Sequence, residues 1–283
     1  MTRKSERREW VIRPRRSGLL NVLKDVWDYR SLLGFVTKRS VLQLYRRTLL
    51  GIIWLAIRPA IAVVILVLMI RAVGISTGPV PLLLFITVGF ALWTLFQAGL
   101  RHGTRAITRG RGLIRRLNFP RVMLVTGSLA PAFIEFAVVF VGVVLVLGYF
   151  AYTGTFIPEA GLRLFAIIPV LLFVMTLVVA LTCVSSVLNS IATDTALSLN
   201  YLSIALLVGT PVMYPVSAIA ENWQWAILLN PLAPALEIWR WALLGTPPPP
   251  LWSVFYAVTL TILILIGGLI FFLRWEQKLL DRN

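Results

Sequence analysis

Residues 82–100 read LLLFITVGFALWTLFQAGL, and residues 101–121 continue as RHGTRAITRGRGLIRRLNFPR. The first part has no charged residue; the second carries seven arginines and no acid. A bilayer core takes roughly 20 apolar residues in one helical crossing, and segments rich in Lys and Arg stay on the cytoplasmic side. This stretch therefore predicts a membrane-crossing helix that ends in a cytoplasmic segment.

Outward from it, Ile52–Ile70, Val122–Phe150, Leu164–Leu188, Ala196–Ser217 and Leu251–Leu273 are apolar runs of similar length. With Leu82–Leu100 they make six, and Arg58 and Glu135 are the only charged residues inside them. The expected fold is an all-α integral membrane protein with six transmembrane helices. A composition of 59% hydrophobic and 13% charged residues lies outside the soluble globular range. Residues 29–283 are therefore expected to form a single membrane domain behind a basic tail at 1–28.

The net charge of +16 is unevenly placed. Thirteen of 27 Lys and Arg residues lie in 1–51, seven in 101–121 and three in 274–283. Arg71, Arg163 and Arg240 fall in the alternate set of loops. That asymmetry puts both termini in the cytoplasm and assigns the charge to topology and lipid headgroups rather than to nucleic acid. Thr2–Arg16 is basic but runs into no apolar core with a cleavage site, so no signal peptide is expected. Cys183, the one cysteine, offers no disulfide framework.

Between the tail and the first span, Leu33, Val36, Val41 and Leu44 share a helical face, with Lys38, Arg39 and Arg46 on another. Phe35 and Leu42 fall on the basic side. The pattern predicts an N-terminal amphipathic helix lying at the cytoplasmic interface. The basic segment Arg101–Pro120 is expected to project from the membrane as one or two helical turns. Two roles fit it: a topology-setting loop over anionic headgroups, or a docking element for an acidic groove on a soluble subunit.

Between the fifth and sixth spans, Trp223–Leu229 and Ala233–Leu244 are too apolar for a solvated loop and too short to cross. Asn230-Pro231 and Pro234 interrupt them. They predict two short re-entrant or gate helices, with Pro247–Pro250 as a stiff spacer into the last span. Trp93, Trp223, Trp225, Trp239, Trp241 and Trp252 read as interfacial anchors. Alternatively, Tyr214, Trp223, Trp225, Trp239 and Trp241 line a mouth where sugar rings slide over aromatic faces.

Catalytic chemistry is thin. His102 is the sole histidine, so no histidine metal cluster can form, and no G-x-x-x-x-G-K-[ST] phosphate loop occurs. The chain reads as a conduit that needs a separate source of energy, with no cofactor or metal of its own. Glu135, about 20 Å along an unbroken third helix, needs a partner, and Arg58 in the first span is the expected one. Arg46, Arg47 and Arg58 sit near headgroup level, either to receive an anionic lipid diphosphate or to snorkel to lipid phosphates.

An ordered series of residues also resembles a known family. It comprises Tyr45-Arg46, Leu50-Gly51, Trp54, Pro59, Gly89, Trp93, Leu113-Ile114-Arg115-Arg116 and Phe119-Pro120-Arg121. Pro211-Val212, Tyr214-Pro215, Asn230-Pro231, Arg240, Glu276 and Asp281 follow. Over about 250 residues the chain resembles the membrane subunit of ABC-type polysaccharide exporters, which include O-antigen, capsule and teichoic-acid permeases. Thr193-Asp194 keeps only the acid of an Arg-Asp pair frequent in that family, and Thr210 replaces a common serine.

The resemblance implies a bacterial cell-membrane location, a homodimer and two cytoplasmic ABC ATPase subunits that hold the ATP and Mg. Its substrate would be a polyprenyl-diphosphate-linked polysaccharide. The elements facing the ATPase would be the interfacial helix (Leu33, Val36, Lys38, Arg39) and the coupling loop. In that loop the candidates are Arg105, Arg109, Arg111, Leu113, Ile114, Arg115, Arg116, Phe119 and Pro120. The alternatives are an ABC permease for a drug or small lipid, and a membrane-embedded transferase acting on polyprenyl-linked sugars.

Overall fold

A computed structural model describes residues 29–45, 53–114, 119–157 and 161–280. The basic tail, Arg46, Arg47, Arg115 and Arg116 lie outside the described residues. Eleven α-helices run through the described residues: α1 (Arg30–Tyr45), α2 (Ile53–Val73), α3 (Leu82–Thr104), α4 (Ala106–Ile114), α5 (Val122–Gly127) and α6 (Ala130–Tyr152), then α7 (Ile167–Ile191), α8 (Asp194–Gly209), α9 (Glu221–Leu228), α10 (Leu232–Leu244) and α11 (Leu251–Leu280). No strand occurs among them.

Five helical stretches are long and apolar enough to cross a membrane: Ile53–Val73, Leu82–Ile114, Val122–Tyr152, Leu162–Ile191 and Leu251–Trp275. The expected fifth span, 196–217, is shorter. α8 stops at Gly209 after 16 residues, about 24 Å of helix against a core of about 30 Å. Thr210 turns extended at φ −104°, ψ 137°, and Pro211 next to it has no amide to donate.

α3 is the centre of the bundle. Apolar on all sides, as a surrounded helix must be, it buries 18 of its 23 residues, packed between α6 and α7, with α11 on the far side of α7. Contact with α7 is close because α3 presents glycines there. A Cβ on Gly99 would lie 2.8 Å from Val178, and one on Gly103 would lie 2.4 Å from Thr182. Small residues that admit close backbones are the usual basis of helix association in lipid. By contrast α2 buries only the stripe Val63, Leu66, Ile70 and α8 only Ser203, so both turn apolar faces outward.

A second core lies around the C-terminal end of α3. Val36 of α1 packs over Gly127, where a Cβ would meet it at 2.8 Å. Ile107, Leu113, Phe119, Met123 and Phe272 complete this core. Lys38 and Arg39 are exposed on the other face of α1, together with Phe35 and Leu42, and Leu33 is half-buried. Val36 is the one buried side chain among the described positions of α1.

Two expectations fail here for local reasons. The third apolar run is not one rod: it breaks at Ser128 and Leu129, and α6 restarts with Pro131 in its first turn, where a missing N–H costs nothing. The basic segment does not project. α4 buries Ala106, Ile107, Gly110 and Leu113 against α5 and α7, because those four recur at helical spacing on one face.

Candidate functional site

Two arginine-centred clusters lie at opposite ends of α3. The first gathers at its last turn. Arg101 Nη2 donates to Glu135 Oε2 at 2.5 Å, and His102 Nε2 lies 2.8 Å from Glu135 Oε1. Arg109 of α4 reaches His102 Nδ1 at 3.4 Å. A neutral imidazole with its proton on Nε2 satisfies both contacts, donating to the carboxylate and accepting from the guanidinium. His102 and Glu135 are largely shielded, while Arg101 is 41% exposed.

Arg58 is not part of this cluster; its guanidinium lies over the Trp54 ring, 5.5 Å from the centroid. Glu135 lies five steps into α6, about 8 Å, where Arg101 and His102 at the end of α3 meet it. A carboxylate in the second turn needs a cation from a neighbouring helix end, and Arg101 is the one beside it.

α4 is stitched to α7 at the same level. Arg111 Nη2 donates to the Ser190 carbonyl at 3.0 Å, Asn189 Nδ2 to Thr108 Oγ1 at 3.3 Å, and Thr104 Oγ1 meets Ser185 Oγ at 2.8 Å. Among the candidate coupling residues, Leu113 and Phe119 are buried, Ile114, Pro120 and Arg105 are half-buried, and Arg109 and Arg111 are exposed. The surface of α4 is thus basic and its apolar members belong to the core.

The second cluster surrounds Arg240, which is fully buried. Its helix α10 follows Asn230-Pro231. Asn230 Oδ1 accepts from Leu232 N–H at 3.0 Å and its Nδ2 donates to Thr210 Oγ1 at 2.8 Å, an Asx turn that leads into α10 and ties it to the end of α8. Gly245, left-handed at φ 70°, closes the helix as glycine does best. Arg240 Nη1 donates to the Pro211 carbonyl at 2.7 Å and Nη2 to the Val212 carbonyl at 2.6 Å. Its guanidinium lies 3.7 Å from the centroid of the Phe85 ring. Gly89 makes room: a Cβ there would stand 2.6 Å from Nη2 and 2.7 Å from the Val212 oxygen.

Glu237 supplies a longer ion pair, 3.4 Å from Nη1. Burial pulls the Arg240 guanidinium down to about 10, still cationic at neutral pH, and pushes the Glu237 carboxyl up, with Arg240 opposing. The neighbouring Trp239 is also fully buried; its Nε1 donates to the Val88 carbonyl at 2.9 Å and its ring meets Phe136 and Phe140 at 5.9 Å.

The candidate gate aromatics are therefore not one surface. Trp223 and Trp225 are exposed on α9, Trp252 is half in the open, and Trp93 and Trp239 are core. Trp241 is half-buried with Arg163 over its ring at 5.9 Å, and Tyr214 donates to the Val208 carbonyl at 2.9 Å. Gly89, Pro211, Val212, Asn230 and Arg240, far apart in sequence, come together. From the sequence, Arg240 stood in the family-like series with Gly89, Pro211-Val212 and Asn230-Pro231 and in the short helix 233–244, but with no partner assigned, and Arg101 was only a topology marker. An arginine about 150 residues from Gly89 carries no sequence signal of contact with it, so neither contact was legible. Among the described residues no three His, Cys, Asp or Glu side chains converge as a metal site.

The family model described as ABC-2 type transporter matches residues 31–244. The O-antigen export system permease protein RfbA of Myxococcus xanthus is 28% identical over 217 residues, 76% of this chain and 80% of the relative.

Proposed function

The chain belongs to the ABC-2 type transporter family, and from that premise we propose that it is the membrane channel subunit for ATP-driven export of a polyprenyl-diphosphate-linked polysaccharide. As a permease subunit it is not an enzyme, and the transferase alternative falls away. Family membership implies a partner ATPase subunit. The observation that carries the substrate class is the 28% identity, over three quarters of the chain, with a permease named for O-antigen export.

In this reading two copies of the chain pair along their outward apolar faces, each on one ATPase subunit. The termini and α4 face the cytoplasm, α8 completes the sixth crossing, and α9 and α10 form the outer gate. The basic outer face of α4, with Arg109 and Arg111, receives the ATPase, while α1 lies at the membrane interface. The pattern of 23 Lys and Arg residues in 1–51, 101–121 and 274–283 supports this orientation. ATP and Mg are held by the partner.

The decisive experiment is co-purification with a candidate ABC ATPase subunit from the same source, reconstitution in liposomes, and assay of hydrolysis. Lipid-linked oligosaccharide is expected to raise the rate and the sugar-free lipid to leave it at baseline. A response to a drug or small lipid instead, with none to the glycan, would transfer the chain to the alternative substrate class. Single cysteines at Arg111 are expected to resist a membrane-impermeant thiol reagent in intact cells; ready labelling there reverses the orientation.

A further inference from the structure

We infer that residues 214–229 form a lid that swings alone over the outer mouth while α10 stays fixed as its frame, an inference whose outer placement rests on the exporter reading above. The two ends of this segment meet. It leaves the core after Val212 and Met213, both buried, and returns at Asn230, whose side chain holds Thr210 at 2.8 Å. Arg240 clamps the same base through the Pro211 and Val212 carbonyls. An excursion closed at its base and packed on itself can move without disturbing the helices that carry it, as Ω-loops and lids do.

The segment has packing of its own. Val216 and Leu228, with Ile227 beside them, form a small core on Ala233 that is separate from the core of the bundle. Gln224 Nε2 donates to the Ile219 carbonyl at 3.0 Å, inside the segment. Among the described residues no side-chain hydrogen bond or ion pair joins 215–229 to another part of the chain. α9 buries Leu228 alone. Trp223 and Trp225 are both exposed, and two residues apart on a helix they point about 200° from each other. Both flanks of α9 are therefore open.

α10 is built the other way. Trp239 and Arg240 are fully buried on it; Trp239 donates to the Val88 carbonyl of α3 at 2.9 Å, and Arg240 lies over the Phe85 ring of the same helix. Swinging α10 outward would strip Arg240 of both carbonyls and of Glu237, and a buried cation without partners is strongly disfavoured. Swinging α9 gives up apolar contact with Ala233 and no side-chain bond to the scaffold. Segments with few buried contacts open first, so the outer barrier yields at α9.

The test uses the full chain with its ATPase subunit in lipid nanodiscs, spin-labelled at cysteine pairs; Cys183 is buried and takes no label. Ser76→Cys, in the outer connection between α2 and α3, is the reference, paired with Trp223→Cys on α9 or Leu243→Cys on α10. On trapping with ATP and vanadate, the Ser76–Trp223 distance is expected to shift beyond the width of its resting distribution and the Ser76–Leu243 distance to stay within it. Both shifting together would make α9 and α10 a single leaf, and neither shifting would deny the lid; either result overturns the inference. Hydrogen exchange on the unlabelled complex checks the same division. Amides of 221–228 are expected to exchange about tenfold or more faster than those of 232–244, and equal protection counts against the lid. Hydrolysis is assayed in the same nanodiscs. A lid that stays put where lipid-linked oligosaccharide stimulates the ATPase sinks the lid alone; an ATPase that ignores the glycan sinks the exporter reading, whatever the labels report.

Discussion

Arg101 and Arg240 lie against the two ends of the same helix, and their charges are met in opposite ways. Arg101, two-fifths exposed, answers a carboxylate across the α3–α6 contact, with His102 and Arg109 extending the network. Arg240 has no access to water and is held chiefly by the carbonyls of Pro211 and Val212 and by the Phe85 ring. Water can replace one member of the first network at modest cost. Nothing replaces the second, since stripping a buried polar group of its partner costs the full desolvation of that group. The end holding Arg240 is therefore a fixed joint, and the end holding Arg101 an adjustable one.

Replacing Arg240 by Leu should break this contrast most severely. It strands two carbonyls and leaves Glu237 without its cation, about 3–5 kcal/mol, so little monodisperse protein is expected on size exclusion. Recovery at wild-type yield would mean the joint is dispensable. Gly89→Ala comes next. Its Cβ meets Arg240 and the Val212 carbonyl inside van der Waals distance, a loss of about 1–3 kcal/mol. Combined with Arg240→Leu it should add less than its single effect; thermal melts of the four proteins measure this, and full additivity would deny that the two residues act together.

At the other end Glu135→Ala is expected to cost about 1–2 kcal/mol, lowering yield more than transport per folded molecule. Normal yield with abolished export would instead give the network a direct part in passage. Trp239→Phe removes the bond to the Val88 carbonyl and part of the ring volume packed on Phe136 and Phe140, and should lower stability by about 1–2 kcal/mol. Smallest of all, Trp223→Ala on the exposed face of α9 should stay within about 0.5 kcal/mol. A large change in its melting temperature would place that ring in a packed interface.

Much of this fold was written in hydropathy. The apolar runs follow from spacing, and the interruption between α9 and α10 follows from Asn230-Pro231. What could not be read is how far a span extends when its last turns are as apolar as its first. Residues 210–217 are apolar enough to continue α8, but Thr210, tied to Asn230, turns extended and Pro211 has no amide to donate, so the helix ends there. Ser128–Leu129 is a break invisible in composition, and the pairing of Glu135 with Arg101 rather than Arg58 was equally so. At the candidate site the charged residues were countable in advance, but their pairing was decided by helix packing.

The glycines at 99 and 103 carry a mechanical corollary. With Val178 and Thr182 pressed on bare backbone, α3 and α7 have no compliant layer of side chains between them in which a displacement could dissipate. At that rim α4, sewn to Ser190 and Asn189, and the glycine face of α3 both bear directly on α7, so the three helices meet there as one rigid unit.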